Sequence, residues 1–271
     1  MRLTTKIILG IILSIFTITL TAIIGLSFNY NRSNFININL PQDNMIGIEL
    51  ASFKTILIDE IHLNSNERNY GLTNMCNIFF DSVPADKKPD MLFIPDVLEE
   101  FISTNTSNDT LTVKLNLPDL DKKYRTEEHR FHYISGVNLY FKISKLDIVN
   151  NAQSLPVIIK NIETDSIRVV SNSNIVIDYC KALFIEPRLL ANYRSLRVTN
   201  SDVKRINLDM DNIRNWNIEN CNVEEEFLTG SGQQRIIQHP NESGTINWAP
   251  KNKDAKLNIE IQGDTTQIII R

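Results

Sequence analysis

Residues 7–26, IILGIILSIFTITLTAIIGL, carry no charged side chain, and no other run of that length in the chain is free of charge. A helix rising about 1.5 Å per residue would carry the run about 30 Å, the thickness of a bilayer's hydrocarbon core. Arg2 and Lys6 precede it and Arg32 is the next charge, so the pattern predicts one N-terminal transmembrane helix with a cytoplasmic N-terminus. The remainder would then lie in the periplasm or outside the cell as the exported part of a single-pass membrane protein. A secretory signal is the rival reading, but its apolar core is usually only about 7–15 residues, so an uncleaved anchor is expected.

Beyond the anchor the period changes from continuous to alternating. Asn29–Asn44 is polar and Asn-rich and reads as a tether, within which Phe35, Ile36, Ile38 and Leu40 suggest one short strand. Met45–Leu50, Phe53–Ile58 and Asn108–Leu117 place apolar residues at every second position, the signature of half-buried strands. Pro95–Ile102 predicts a short helix, with Pro and acidic residues in its first turn. The charged stretch Asp119–His129 reads as a solvated loop.

From Val137 onward, triplets with apolar outer positions recur, among them Leu139-Tyr140-Phe141, Ile175-Val176-Ile177 and Ile246-Asn247-Trp248. LRVTNSDVKR, INLDMDNIRN and WNIENCNVEE, beginning at Leu196, are three consecutive ten-residue blocks with apolar residues at positions one, three and eight. Two blocks would make one turn, placing Leu196 under Trp216 and Trp216 under Ile236. Units that cannot bury their apolar face alone are stabilised by stacking, so the expected class is all-β, a parallel β-solenoid (β-helix) behind one transmembrane helix. The strands at Leu257–Ile261 and Gln267–Ile270 are expected to pair with each other as a cap. A β-sandwich is the alternative for short, regularly spaced strands. A pentapeptide repeat fits less well, because Asp211 and Trp216 fall where that family has small residues. The expected organisation is a cytoplasmic tail over 1–6, the anchor over 7–28, a tether over 29–44 and a solenoid over 45–271.

The anchor, the FKTILI segment, MLFIPDVLEEFISTNTSNDTLTVKL and the Asn-punctuated short strands together resemble the adhesin-type "head GIN" domain proteins of Bacteroidota, most specifically over Phe53–Leu117. The resemblance implies an exported β-solenoid with an adhesin-like role at the cell envelope. This chain departs from that pattern in having few glycines and an insertion around Glu67–Pro89.

With 28 basic and 32 acidic residues the formal charge is −4, which gives no basic footprint for nucleic acid. Cys76, Cys180 and Cys221 lack the spacing of a zinc site, and buried free thiols are the default, with a Cys180–Cys221 bridge as the open alternative.

Candidate chemistry is sparse. His129 and His132, beside Glu127 and Glu128, form a His-x-x-His in a charged loop, short of a tetrahedral ligand set. Ser231, between Gly230 and Gly232, reads as a turn. A polysaccharide-active lyase or glycoside hydrolase would need Asp209 and Asp211 with Glu219, or Arg197 and Arg205 with Asp202, on adjacent strands. Solvated charges are the simpler account, so no catalytic, cofactor or metal residue is assigned and no cofactor is expected. Tyr179 and Tyr193 are ligand-facing candidates if they point outward, whereas the block register places Trp216 and Trp248 inward. The expected function is a non-catalytic, membrane-anchored envelope scaffold or recognition module, with residues 7–26 in the membrane and an envelope protein or glycan as partner.

Overall fold

The computed structural model describes residues 3–29, 35–60, 70–73, 75–83, 90–125, 131–238, 243–261 and 267–270. Two large sheets of eight and ten strands share one apolar core, accompanied by smaller sheets of three and two strands.

The apolar triplets build the eight-stranded sheet. Ile175 and Ile177 are buried with Val176 between them half-buried, and Val157/Ile159 and Leu196/Val198 repeat the arrangement on neighbouring strands. Alternate side chains of a strand face opposite ways, so the middle residue of each triplet faces out. Within the core, the Phe80 and Phe141 rings stack at 4.8 Å between centroids.

Longer strands build the other sheet. In Asp202–Asp209 the buried residues are Val203, Ile206 and Leu208, so Lys204 and Arg205 both face out. A step of three instead of two marks a bend in the strand. The bend repeats at Leu183–Phe184 between Ala182 and Ile185, and at Glu224–Glu225 between Val223 and Glu226. Glu226 takes the inward place between Ile206 and Ile246 and is fully buried.

From Asn138 the chain passes between sheets strand by strand, and parallel neighbours pair at offsets near twenty residues. Leu196 pairs with Trp216, and Asp202 with Asn222. Each passage from a short strand to a long one turns through Asn161, Tyr179, Asn200 or Asn220, with φ of 54°, 52°, 49° and 54°.

The expectation of a parallel β-solenoid over 45–271 is corrected, because both large sheets mix parallel and antiparallel pairing. Met91–Pro95 runs antiparallel to Asn138–Ile143 and to Met45–Glu49, and Ile102–Ser107 antiparallel to Thr110–Leu115. That last hairpin turns on Asn108 and Asp109, both at positive φ, the conformation a two-residue turn needs to match strand twist. The C-terminal register also departs from expectation. Gln233–Gln238 pairs with Lys256–Ile261 in the two-stranded sheet, which puts Ile236 beside Ile259. Gln267–Ile270 pairs instead with Ser243–Pro250.

The anchor is corrected as well. The N-terminal helix runs Leu3–Asn29, with described side chains from Ile11 to Ile24. Among the described residues no helix is long and apolar enough to cross a membrane, so a single-pass topology with a periplasmic or extracellular domain is not supported.

The short strand expected from Phe35 to Leu40 is present as Phe35–Asn39, parallel to Phe131–Ser135, with Ile38 and Leu40 buried. The stretch from Asp119, read as a solvated loop, begins within an α-helix over Leu117–Tyr124: Asn116 accepts from the Asp119 backbone N–H, and Leu117, Leu120 and Asp121 are buried. The short helix expected after Pro95 is a 3-10 helix over Asp96–Phe101.

Candidate functional site

The register aligns the outward middle residues of the triplets into a column across the eight-stranded sheet: Phe93, Tyr140, Phe79, Ile158, Val176 and Arg197, each paired with the next. Phe79 and Tyr140 stack with ring centroids 4.6 Å apart and planes within 3°. Its first five positions are apolar and half-buried by their neighbours, and Arg197 at its end is exposed.

Two residues further along each strand runs a second column of alternating sign: Lys142, Asp81, Lys160 and Asp178, followed by Thr199 and Glu219. Lys142 pairs with Asp81, Lys160 lies 3.5 Å from Asp178, and Arg197 donates to Glu219 at 2.7 Å. Asn161 donates to Asp81 at 2.9 Å, while Thr199 Oγ1 and Asn200 Nδ2 donate to Asp178 at 2.7 and 2.9 Å. Burial alone would raise the Asp178 carboxyl; the hydrogen bonds from Asn200 and Thr199 and the Lys160 charge outweigh it and hold the group below its ordinary value. Asp81 is held low in the same way, with Lys142 and Asn161 against burial.

Where the columns meet there is an open concavity of about 360 Å³, floored by Phe79, Ile158 and Val176 and edged by Asp178, Arg197 and Asn200. Larger hollows, of about 500 and 590 Å³, lie on the outer face of the ten-stranded sheet. Their walls are mainly charged and polar, with Arg205 donating to Glu225 at 2.6 Å in one and Lys181 lying 3.5 Å from Glu163 in the other. The concavity of the eight-stranded sheet combines an apolar floor with converging polar groups, the makeup of ligand sites.

The carboxylate sets named from the sequence are not brought together. Asp209 and Asp211 both bind Lys251, at 2.6 and 2.8 Å, and Asp211 also accepts from the Ser231 backbone N–H. Glu219 stands at the far end of the strand Ile213–Glu219, on the order of 20 Å away at about 3.3 Å per residue. A glycosidase pair must flank one bond, at no more than about 9.5 Å. Arg197 and Arg205 lie on different sheets, and Asp202 accepts from Asn222 at 3.0 Å.

His132 is not in a solvated loop. It is fully buried, its Nδ1 3.1 Å from Asp121 Oδ1, and Asp121 also pairs with Arg125 at 3.3 Å. Burial raises the Asp121 carboxyl, against the opposing charges of Arg125 and His132. Glu127, Glu128 and His129 lie outside the described residues, and among those described no group of acidic, His and Cys side chains is arranged to hold a metal. Trp248 is buried and Trp216 packs against the core, whereas Tyr179 and Tyr193 are exposed. Sequence reasoning missed Phe79 and Tyr140. Tyr140 was legible as the middle of an apolar-outer triplet, but Phe79 lies within the stretch read as an insertion.

No family model and no curated protein matches the chain. Solved structures do. One solved as a "putative adhesin" from Bacteroides fragilis is 15% identical with a TM-score of 0.48, over 86% of this chain and 100% of the other. A "putative adhesin" from Parabacteroides merdae is 10% identical with a TM-score of 0.38, over 86% and 99%. A "putative lipid binding protein" from Parabacteroides distasonis is 10% identical with a TM-score of 0.34, over the same shares.

Proposed function

We propose that the chain is a non-catalytic recognition module that binds a glycan or protein partner on the outer face of its eight-stranded sheet. The observation that carries this reading is the apolar column beside a column of paired charges, together forming one open concavity. Every acid and base in the second column from Lys142 to Asp178 has a partner of opposite sign, so the face presents fixed hydrogen-bonding geometry instead of a reactive group. Such a surface suits holding a ligand and gives no general acid or base poised to move a proton.

The test is capture from cell extract by the immobilised full chain, compared with a Val176→Asp/Ile158→Asp variant. Both positions lie half-buried on the outer face, so the floor of the concavity loses its apolar character, and circular dichroism with a denaturant melt checks that the variant is folded before capture. Partners retained by the wild type and lost by the variant are the expected result. Equal retention by both places recognition elsewhere on the molecule.

A further inference from the structure

Two exposed tyrosines in turns at the ends of strands of this sheet sit in backbone conformations that disfavour them. Tyr179 has φ of 52° and is 62% exposed; Tyr193 has φ of 63° and is 78% exposed. A left-handed backbone brings Cβ against the following carbonyl, a cost that Asn and Gly largely avoid. At the corner equivalent to Tyr179, the neighbouring turns carry Asn161, Asn200 and Asn220 with nearly the same φ. The backbone does the same work at each: Asn161, Tyr179 and Asn200 donate their N–H to Asp178, Thr199 and Glu219 carbonyls at 3.0–3.1 Å. With so much of its surface in water, Tyr179 recovers little of that cost through packing. Strain held by an exposed aromatic side chain points to use outside the fold.

The positions of the pair are informative. Tyr193 directly precedes the strand Arg194–Thr199, and Tyr179 aligns with Asn200 just beyond that strand's other end. Seven residues at about 3.3 Å separate the two levels, so the tyrosines bracket a path of roughly 20–25 Å along the strands. Between them on the outer face lie Val176 and Arg197, then Asp178 and Thr199, which belong to the concavity.

We propose that this path binds a neutral oligosaccharide laid along the strands, with Tyr179 and Tyr193 as sugar-facing platforms at its ends. The inference rests on the recognition reading above. A sugar presents flat C–H faces to aromatic rings and hydroxyls to carboxylates, amides and guanidinium, and both kinds of partner occur along the path. Tyrosine offers its ring at little entropic cost, having two χ angles. A neutral ligand is favoured because the cations of the concavity, Lys142, Lys160 and Arg197, are each matched by Asp81, Asp178 and Glu219 and so are not free to bind a uronate or sulfate.

The experiment titrates the full chain by calorimetry with neutral glucose-, mannose- and N-acetylglucosamine-based tetramers to hexamers, and with uronate oligomers, for wild type, Tyr179→Asn and Tyr193→Asn. Both variants are also unfolded in denaturant. The expected result is binding of a neutral oligomer by wild type, weakened about tenfold or more in each variant, while each variant's unfolding constant falls about fivefold through relief of the left-handed strain. Variants no more stable than wild type, or a neutral oligomer bound equally by all three, overturn the inference. Binding of uronates alone, abolished by Val176→Asp/Ile158→Asp, overturns the inference and leaves the recognition reading standing. Binding of no oligomer, together with equal capture of extract partners by wild type and that double variant, overturns both.

Discussion

Cys180 and Cys221 stand two strands apart in one inward column, with Ser201 between them. The residues that follow each, Lys181, Asp202 and Asn222, pair in register. Two strand spacings of about 4.8 Å put the cysteine backbones roughly 10 Å apart, beyond the roughly 7 Å a disulfide can span. The bridge left open by the sequence is therefore excluded, and all three cysteines are free and buried. Burial pushes the Cys180 thiol up to about 11. Thiol titration should find no reactive cysteine in the folded protein near neutral pH and three after denaturation, even following exposure to mild oxidant.

Ser201 is itself a structural link in that column. Its Oγ accepts from the Cys180 backbone N–H at 3.0 Å and donates to the Thr199 carbonyl at 2.7 Å, both buried. Ser201→Ala should cost about 1–3 kcal/mol, because a buried N–H loses its acceptor. Chemical denaturation should show this as a lower midpoint with an unchanged slope.

The helix Leu117–Tyr124 supplies a third test. Asn116 caps it, Pro118 and Asp119 occupy its first turn, and Lys122 and Lys123 its last. Asn116→Ala should destabilise the protein by about 1 kcal/mol, and Leu120→Ala by about 2–5 kcal/mol, since Leu120 is fully buried. An unaffected Leu120→Ala variant would show that the helix does not pack as described.

Those capping residues also show where legibility failed. The start and stop signals of the helix were all in the sequence, but the charge density of Asp119–His129 outweighed them, although only Leu117, Leu120 and Asp121 needed to face inward. The ten-residue blocks were legible because from Leu196 inward Leu, Val and Ile recur at fixed positions among outward polar residues, which fixes the Leu196–Trp216 register. The antiparallel additions were not, because Met91–Pro95 and Ile102–Ser107 alternate just as parallel strands do. Pairing direction leaves no mark on a period of two. Of the candidate site, Tyr179 and Tyr193 could be named in advance, whereas the Phe79–Tyr140 stack depends on which strands become neighbours.

Gly136 is a backbone requirement. Its φ is +85°, and a Cβ there would lie 2.9 Å from the Leu40 carbonyl oxygen. Gly136→Ala should cost more than about 1 kcal/mol and loosen the strand Phe35–Asn39, which Gln42 helps tie down by donating to the Gly136 carbonyl at 2.9 Å. Faster amide exchange over residues 35–40 would report the loosening.

The acid response follows from Asp81 and Asp178. Both carboxyls are held below their ordinary value in the folded protein, so the unfolded chain takes up protons first as pH falls. Their contribution is therefore complete above the ordinary carboxylate range, near pH 5, and is lost as pH drops through about 4 and below. Asp121 has the opposite sign: burial raises its carboxyl, so its contribution is greatest at low pH and declines as the folded group ionises. Asp178→Asn isolates the first effect. At pH 7 the variant should be about 1–3 kcal/mol less stable, having weakened charge-assisted hydrogen bonds from Thr199 and Asn200 and the attraction of Lys160. As pH falls below the ordinary carboxylate range the wild type progressively loses that advantage, and the two stabilities should converge. A gap independent of pH would mean that Asp178 acts through shape and not through charge, and the alternating column would then be a packing feature instead of an electrostatic one.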